Sequence, residues 1–88
     1  MKRYRLREDG LSWRRIEEEV VAVDVPTSTY LTANDSGTVL WQALAESATR
    51  DELAALLVDR FGLEPEAAGA DVDDFLAQLR EQGLLDES

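Results

Sequence analysis

The stretch TYLTANDSGTVLWQAL, residues 29–44, joins a β-branched, aromatic segment to a segment of helical periodicity through Asn-Asp-Ser-Gly alone. Thr29 to Thr32 is typical of a β-strand, because β-branched and aromatic side chains favour the extended backbone. After Asn34 the apolar side chains recur every 3.6 residues, which predicts a helix that buries one face. Asn34 or Asp35 is the predicted N-cap. The apolar stripe comprises Val39, Leu40, Ala43 and Leu44, with Trp41 at its margin.

Two further strands are predicted before this stretch. Leu11–Ile16 and Glu19–Val25 are short, rich in β-branched or aromatic residues, and roughly alternating between apolar and polar side chains. Pro26-Thr27-Ser28 predicts the turn that leads into the strand at Thr29. The sequence therefore predicts a small antiparallel meander of two or three strands ahead of the first helix.

Two more helices follow, each marked by terminal residues. Thr49-Arg-Asp-Glu52 is a capping box, and Gly62 ends the second helix. Pro65 opens the third helix, Gly83 terminates it, and Leu84-Leu85 then folds back. The predicted buried faces carry Leu53, Leu56, Leu57 and Phe61 in the second helix, and Val72, Phe75, Leu76 and Leu79 in the third.

The 88 residues are enough for one small domain, so residues 1–88 are interpreted as a single unit. Strands followed by three helices predict an α+β domain of winged helix-turn-helix type. In so small a core, Trp13 and Trp41 are expected to be structural. The chain has no cysteine and no histidine, which excludes disulfides, thiolate zinc sites and a near-neutral proton shuttle. We therefore expect no catalytic residues, no metal and no cofactor.

No apolar run reaches the length of a membrane span, and charges interrupt residues 4–15 where a signal peptide would be apolar. We therefore expect a cytoplasmic protein that does not bind membranes. The net charge is −10 and uneven. Residues 1–15 carry about +4 and residues 16–88 about −14 by formal count. An acidic body repels nucleic acid and favours a basic or neutral partner.

Ser36 raises an alternative function. An Asp-Ser pair at a helix start is how acyl or peptidyl carrier proteins present the serine that accepts phosphopantetheine. Such carriers are helical bundles, whereas strands precede Ser36 here, and Gly37 stands where carriers usually have an apolar residue. Capping of the helix by polar side chains is the simpler interpretation. A carrier protein modified at Ser36 stays as the alternative.

A winged-helix DNA-binding regulator is a further alternative, because three helices beside a hairpin also form such readers. The third helix has the wrong charge for this role, since its carboxylates would repel phosphate. Asp71 and Asp74 lie three residues apart but belong to no calcium-binding loop, so they are interpreted as solvated acids. The acidic residues of this helix are Glu66, Asp71, Asp73, Asp74 and Glu81, against a single Arg80.

Several segments together resemble one known family. Tyr30-Leu-Thr-Ala-Asn34, then Gly37, Leu40-Trp41 and Leu44, resembles the Tyr-Tyr-x-Leu-Asn … Gly … Ile-Trp-x-Leu signature of PqqD-like proteins, the precursor-peptide recognition elements of ribosomal peptide biosynthesis. The ending DVDDFLAQLREQGLL, residues 71–85, is similar to that family's Val-x-x-Phe-Leu-x-x-Leu-x-x-x-Gly-Leu-Leu.

The subtype is indicated by the opening Tyr4-Arg-Leu-Arg7, which most resembles the discrete proteins of lasso-peptide pathways. Two positions depart from the family pattern. Ala33 stands where a leucine is usual, and Leu31 replaces a common aromatic residue. The smaller alanine predicts a shallower pocket at that position.

The resemblance implies a three-stranded sheet packed on three helices and a non-catalytic adaptor without a cofactor. It further implies that the leader peptide of a precursor adds as a strand along the third strand, against the third helix. The implied partners are this precursor leader peptide, a leader peptidase and an ATP-dependent cyclase. The physics permits this mode, because an edge strand without proline can bond a peptide backbone. The strand residues expected to bind are Thr29, Tyr30, Leu31, Thr32 and Ala33.

One flank of the third helix is the predicted opposite wall. On the helical wheel, Asp71, Asp74 and Gln78 lie beside the apolar stripe. We hypothesise that this flank, with Phe75 and Leu79 at its base, faces Tyr30 to Thr32 and contacts the leader.

Overall fold

The computed structural model describes residues 2–87, with the side chains of Thr29 and Asn34 outside the described part. Across these residues, six strands and three helices form two three-stranded antiparallel sheets and a helical layer. In chain order they are β1 (Arg3–Leu6), β2 (Leu11–Ile16), β3 (Glu19–Asp24), β4 (Thr29–Asn34), α1 (Ser36–Glu46), β5 (Ala48–Thr49), α2 (Arg50–Phe61), α3 (Pro65–Glu81) and β6 (Leu85–Glu87).

The predicted meander is confirmed as the sheet of order β2-β3-β4. In its register, Ala22 at the centre of β3 pairs with Trp13 on β2 and Leu31 on β4. Ala22 is buried, so these three residues lie on the inner face, towards the helices. Tyr30 and Thr32 are exposed and lie on the outer face. The sheet is therefore covered by helices on one face only.

Helix α1 packs more deeply than one apolar stripe suggests. Trp41, predicted at the margin, is only 2% exposed and belongs to the core with Leu40 and Leu44. The difference arises because α1 contacts β1, β3, β4 and α2, so a wider arc of its surface is enclosed. Asp35 is the N-cap by position, but its side chain makes no capping hydrogen bond. The hydroxyl of Thr38 instead ties the helix start to the sheet, donating to the Ala33 carbonyl at 3.0 Å.

Helix α2 has the predicted termini. The Thr49 hydroxyl accepts a hydrogen bond from the Glu52 N–H at 3.1 Å, and the Glu52 carboxylate accepts one from the Thr49 N–H at 2.8 Å. Gly62 ends the helix with φ 65°, a left-handed conformation that favours glycine. Phe61 was predicted to be buried and is exposed, because it is the last helical residue and extends past the core.

Helix α3 begins at Pro65 as predicted and buries Val72, Leu76 and Leu79, while Phe75 is half-buried. The chain then folds back, since the Leu84 N–H donates to the Leu79 carbonyl at 2.9 Å and Leu84 is fully buried. The predicted return of the chain after α3 is confirmed.

The second sheet has the order β5-β1-β6 and was not predicted. Its central strand β1 pairs with β5 through Arg3 opposite Thr49 and with β6 through Leu6 opposite Leu85. Each of its strands has four residues or fewer. This sheet brings the two ends of the described chain side by side.

Trp13 differs from its predicted place in the core. Its side chain is 37% exposed, although one ring edge contacts the buried Trp41. The reason is that β2 is the outermost strand of its sheet, so no further strand covers Trp13. Among residues 2–87, no helix has both the length and the apolar character that crossing a membrane requires.

Candidate functional site

Strand β4 offers a free backbone edge. It pairs with β3 on one side, and no other described strand pairs with it on the other. No proline interrupts Thr29–Asn34, so the outer row of N–H and C=O groups is available for a further strand. Leu31 and Ala33 are half-buried on the inner face, whereas the Tyr30 side chain is 75% exposed.

A cleft lies between this edge and α3. Its sheet wall is formed by Leu31, Thr32 and Ala33, and its helix wall by Phe75, Gln78 and Leu79. Trp41 also lines it, joined by Val20 and Gln82. The cleft volume is about 50 Å³, far below the roughly 300–1,000 Å³ of a typical small-molecule site. A cleft of this size suits one side chain of a larger ligand.

A second, more polar recess continues the cleft towards the start of α1. It has a volume of about 250 Å³ and is lined by Ser36 and Gly37 of α1 and by Asp71 and Asp74 of α3. Phe75 and Gln78 line both spaces. The cleft and the recess are therefore one groove, which we call the edge groove: apolar beside β4 and acidic at the start of α1.

The two flanks of α3 have different neighbours. Asp73 faces α2, where Arg50 donates to its carboxylate at 2.5 and 2.9 Å. This pairing lowers the pKa of Asp73 and raises that of Arg50, in both cases chiefly through the hydrogen bond. The flank that carries Asp74 and Gln78 lies instead in the edge groove. The flank with Asp74 and Gln78 is the one hypothesised above to face β4, whereas the pairing of Asp73 with α2 was not predicted.

The structure brings most of the predicted site residues together. Tyr30 lies apart, on the outer face of the sheet, and the Thr29 side chain is outside the described part of the chain. Contact of any of them with a leader peptide stays a prediction. The predicted residues that line the edge groove are Leu31, Thr32, Ala33, Asp71, Asp74, Phe75, Gln78 and Leu79.

Six residues that line the groove were not among the predicted site residues: Val20, Ser36, Gly37, Leu40, Trp41 and Gln82. Gly37 could have been found, because it is part of the family signature at the helix start. Its small size matters, since a Cβ atom there would lie 3.1 Å from the Ala33 Cβ and 3.6 Å from the Phe75 ring. Glycine therefore keeps the passage between cleft and recess open.

Trp41 contains a buried polar group without a hydrogen-bond partner in the part of the chain that the structure describes. Its indole N–H is buried and has no hydrogen-bond partner among the described residues. A buried donor left without an acceptor costs about 1–3 kcal/mol. The core beside the groove therefore contains one donor without an acceptor among the described residues.

The groove residues indicate binding of a peptide. An extended peptide can add to the free edge of β4 through backbone hydrogen bonds while its side chains enter the cleft and recess. Within residues 2–87, no group of three or more histidine, cysteine, aspartate or glutamate side chains is placed to hold a metal ion. Ser36, the first residue of α1, is half-buried in the recess.

Comparison with known proteins agrees with this fold. The model of the family described as coenzyme PQQ synthesis protein D (PqqD) matches residues 19–85. No curated protein matches the chain. Two solved structures are similar. TbiB1 in complex with the TbiA(beta) leader peptide has a TM-score of 0.85 at 24% identity, covering 93% of this chain and 94% of that chain. Lasso peptide synthetase B1 complexed with the leader peptide has a TM-score of 0.82 at 23% identity, covering 93% and 95%.

Proposed function

We propose that this chain, which belongs to the PqqD family, is a non-catalytic protein that binds the leader segment of a ribosomally synthesised precursor, most specifically that of a lasso peptide. The free edge of β4 beside the edge groove is the observation that carries the proposal. The two similar structures support it, because each was solved with a leader peptide bound to the matching fold.

Strand addition explains how one small surface provides both affinity and selectivity. The leader backbone bonds to the outer edge of β4, which requires no particular leader sequence. Successive side chains of the added strand point to opposite faces. Every second leader side chain is therefore directed towards the inner face, where Leu31, Phe75 and Leu79 form apolar walls.

Selectivity depends on the shape and charge of the edge groove. The cleft accepts an apolar side chain of limited size, because Leu31 and Phe75 approach from opposite walls. Asp71 and Asp74 make the neighbouring recess acidic. With a net charge of −10, the protein also attracts a basic leader at long range. Raised salt should slow the association, because it screens that attraction.

In the pathway this protein acts as an adaptor. It holds the leader while a leader peptidase and an ATP-dependent cyclase act on the precursor. The chain contains no histidine and no cysteine, so the common nucleophile and base pairs cannot form within it. The chemistry therefore belongs to the partner enzymes, and the protein works in the cytoplasm, where precursors are synthesised.

The proposal is tested with a labelled peptide that comprises the N-terminal half of a short precursor encoded beside the gene. Fluorescence anisotropy should show saturable binding that is lost when the peptide is scrambled. Leu31→Arg should weaken binding more than tenfold, since it places a charge in the cleft. Asp74→Lys should weaken it less, because the recess is open to solvent. Val25→Arg is the matched control, as Val25 is exposed and lies beyond the end of β3.

Three outcomes would contradict the proposal. Flat anisotropy with the correct leader would reject leader binding. Equal affinities of Leu31→Arg and Val25→Arg, with circular dichroism showing both folded, would reject the cleft. If Leu31→Arg abolished binding while Asp74→Lys left it unchanged, the α3 half of the site would be wrong. The carrier alternative predicts a mass increase at Ser36 after treatment with a phosphopantetheinyl transferase, and we expect none.

A further inference from the structure

We propose that Arg7 is a positioning residue that holds the C-terminal end of α3 at a set distance from the sheet and so defines the width of the edge groove. The inference rests on the proposed function in one respect, namely that the groove receives a peptide strand. It also assigns a physical role to Arg7 in the segment Tyr4-Arg-Leu-Arg7. Leader binding by itself does not explain why this segment is present.

The guanidinium of Arg7 bonds in three directions. Nη2 donates to the Asp24 carboxylate at 2.5 Å, Nη1 to the Gly83 carbonyl at 2.9 Å, and Nε to the Asp9 carbonyl at 2.8 Å. The backbone N–H of Arg7 also donates to the Leu84 carbonyl at 2.7 Å. We call the set Arg7, Asp24 and Gly83 the Arg7 clasp.

On the sheet side, the Arg7 clasp includes a buried carboxylate at the end of β3. Asp24 is only 3% exposed and is the last residue of β3. In the register it lies opposite Thr29, the first residue of β4. A buried carboxylate requires a partner, because a lone charge in a protein interior is strongly destabilising. Arg7 is therefore held against the end of the strand pair that forms one groove wall.

On the helix side, the clasp holds the residue next to the groove lining. Gly83 directly follows Gln82, which lines the cleft together with Leu79. Among the described residues, no hydrogen bond or ion pair joins β4 to α3 directly. At this end of the groove, Arg7 connects the two walls through its side-chain bonds to Asp24 and Gly83 and through its backbone bond to the Leu84 carbonyl. A substitution at Arg7 removes the side-chain bridge, which we propose sets the separation of the walls.

The opposite end of the groove is held differently. There the Thr38 hydroxyl donates to the carbonyls of Ala33 and Glu18, at 3.0 and 2.8 Å, and so fixes the start of α1 to the sheet. Loss of the clasp should therefore let the C-terminal end of α3 move while the end near α1 stays in place. A peptide strand between the walls would then fit loosely at one end.

Only arginine can make this set of bonds. Its planar fork presents five donors on three nitrogen atoms, whereas the three donors of a lysine ammonium share one nitrogen, which cannot take the place of Nε, Nη1 and Nη2 at once. Arg7→Lys retains the charge beside Asp24 and gives up the other two bonds. It should weaken leader binding at least tenfold, mainly through faster dissociation, at a temperature well below the melting transition.

A double variant distinguishes an effect of Arg7 on the stability of the fold from an effect on the position of α3. Arg7→Met leaves the Asp24 carboxylate buried and alone, and should lower the melting temperature sharply. Arg7→Met with Asp24→Leu removes both charges, and apolar pairs of similar size often restore stability to such sites. We expect the double variant to regain the melting temperature of the parent protein while its leader affinity stays at least tenfold reduced, because the side-chain bond from Arg7 to the Gly83 carbonyl is still missing.

The control for these variants is Arg50→Met. It removes another ion pair of α3, the exposed contact with Asp73 on the flank that faces α2. Its leader affinity should stay within twofold of the parent protein. The positioning is also measured without peptide, by hydrogen exchange of the backbone amides of residues 79–83. Exchange there should accelerate in the double variant and stay unchanged in Arg50→Met.

The outcomes are distinct. If the double variant regains both melting temperature and leader affinity, the clasp only stabilises the fold and the inference is overturned. Arg7→Lys that binds like the parent protein overturns it as well. If the parent protein binds no leader at all, the proposed function fails, and the exchange of residues 79–83 still decides whether Arg7 positions α3.

Discussion

Trp13 and Trp41 meet edge to face between the sheet and α1, with ring centroids 6.0 Å apart and ring planes at 74°. Their environments differ, since Trp41 is enclosed by the core while Trp13 keeps one side in solvent. Trp41 also lines the edge groove. The pair therefore connects the outermost strand β2 to the wall of the proposed binding site.

The two tryptophans should contribute unequally to stability. Trp41→Ala removes a fully enclosed side chain, and truncation of a buried aromatic residue costs about 3–5 kcal/mol. We expect this variant to be largely unfolded at 25 °C, because the free energy of unfolding of a small domain is of similar size to this loss. Trp13→Ala should cost clearly less, since its side chain is already partly solvated. Urea unfolding measures both, and equal losses would contradict the assignment of Trp41 to the core.

Leader binding should change the fluorescence of Trp41. In a Trp13→Phe protein, Trp41 is the only tryptophan, and it lines the cleft that a leader side chain enters. Titration with the leader peptide should shift the emission maximum and change its intensity along the same curve as the anisotropy. The reciprocal Trp41→Phe protein reports on Trp13 and should respond less. A Trp41 emission that stays constant through saturation would show that the peptide binds elsewhere.

The capping box should make stability depend on pH. The hydrogen bond from the Thr49 backbone N–H, followed by the charge of Arg3, lowers the pKa of Glu52 from its ordinary value of 4.5. The carboxylate therefore stabilises the folded state above pH 4.5, and this contribution is lost as the pH falls through the lowered folded pKa. Glu52→Gln keeps a capping side chain and removes the charge.

The corresponding measurement is urea unfolding of the parent protein and Glu52→Gln at several pH values. The free energy of unfolding should differ between them at pH 7, and the difference should shrink as the pH falls below 4.5. A difference that is the same at pH 7 and pH 3 would show that the charge of Glu52 plays no part.

Gly37→Ala should reduce leader affinity more than it reduces stability. The new Cβ would approach the Ala33 Cβ to 3.1 Å and narrow the passage between cleft and recess. Alanine in a helix is favoured over glycine by up to about 1 kcal/mol, which offsets the cost of the crowding. Gly69→Ala is the matched control, because its Cβ would meet only the flexible end of Arg50 on the α2 side. If Gly37→Ala and Gly69→Ala bound the leader with similar affinities, the passage between cleft and recess would not be part of the binding site.

The sequence predicted the meander and the helices because their patterns are local. The capping box at Thr49 and Glu52 lies within four residues, and the strand alternation of Glu19–Asp24 is visible in a short window. The sheet β5-β1-β6 has no such pattern. Its strands are very short, and each pairs with a segment far away in the chain, so no short window contains the partner.

The walls of the edge groove were predicted in outline for a different reason, and their contact with a leader stays a prediction. The free edge at β4 and the flank of α3 follow from strand order and helical periodicity, combined with the family resemblance. The part played by Trp41 and Val20 depends on how deeply α1 packs against the sheet, which a helical wheel does not show. The Arg7 clasp could not be predicted from the sequence either, because it joins residues that are 76 positions apart.

The pairing of β1 with β6 has a consequence for the order in which the protein folds. Contacts between distant parts of a chain form slowly, because a long loop must be closed first. Strand β1 is separated from β6 by most of the described chain, and Arg7 lies 76 positions from Gly83. The meander β2-β3-β4 joins neighbouring segments instead, so it can form early. The capacity to capture a precursor should therefore appear only when this slow closure is complete.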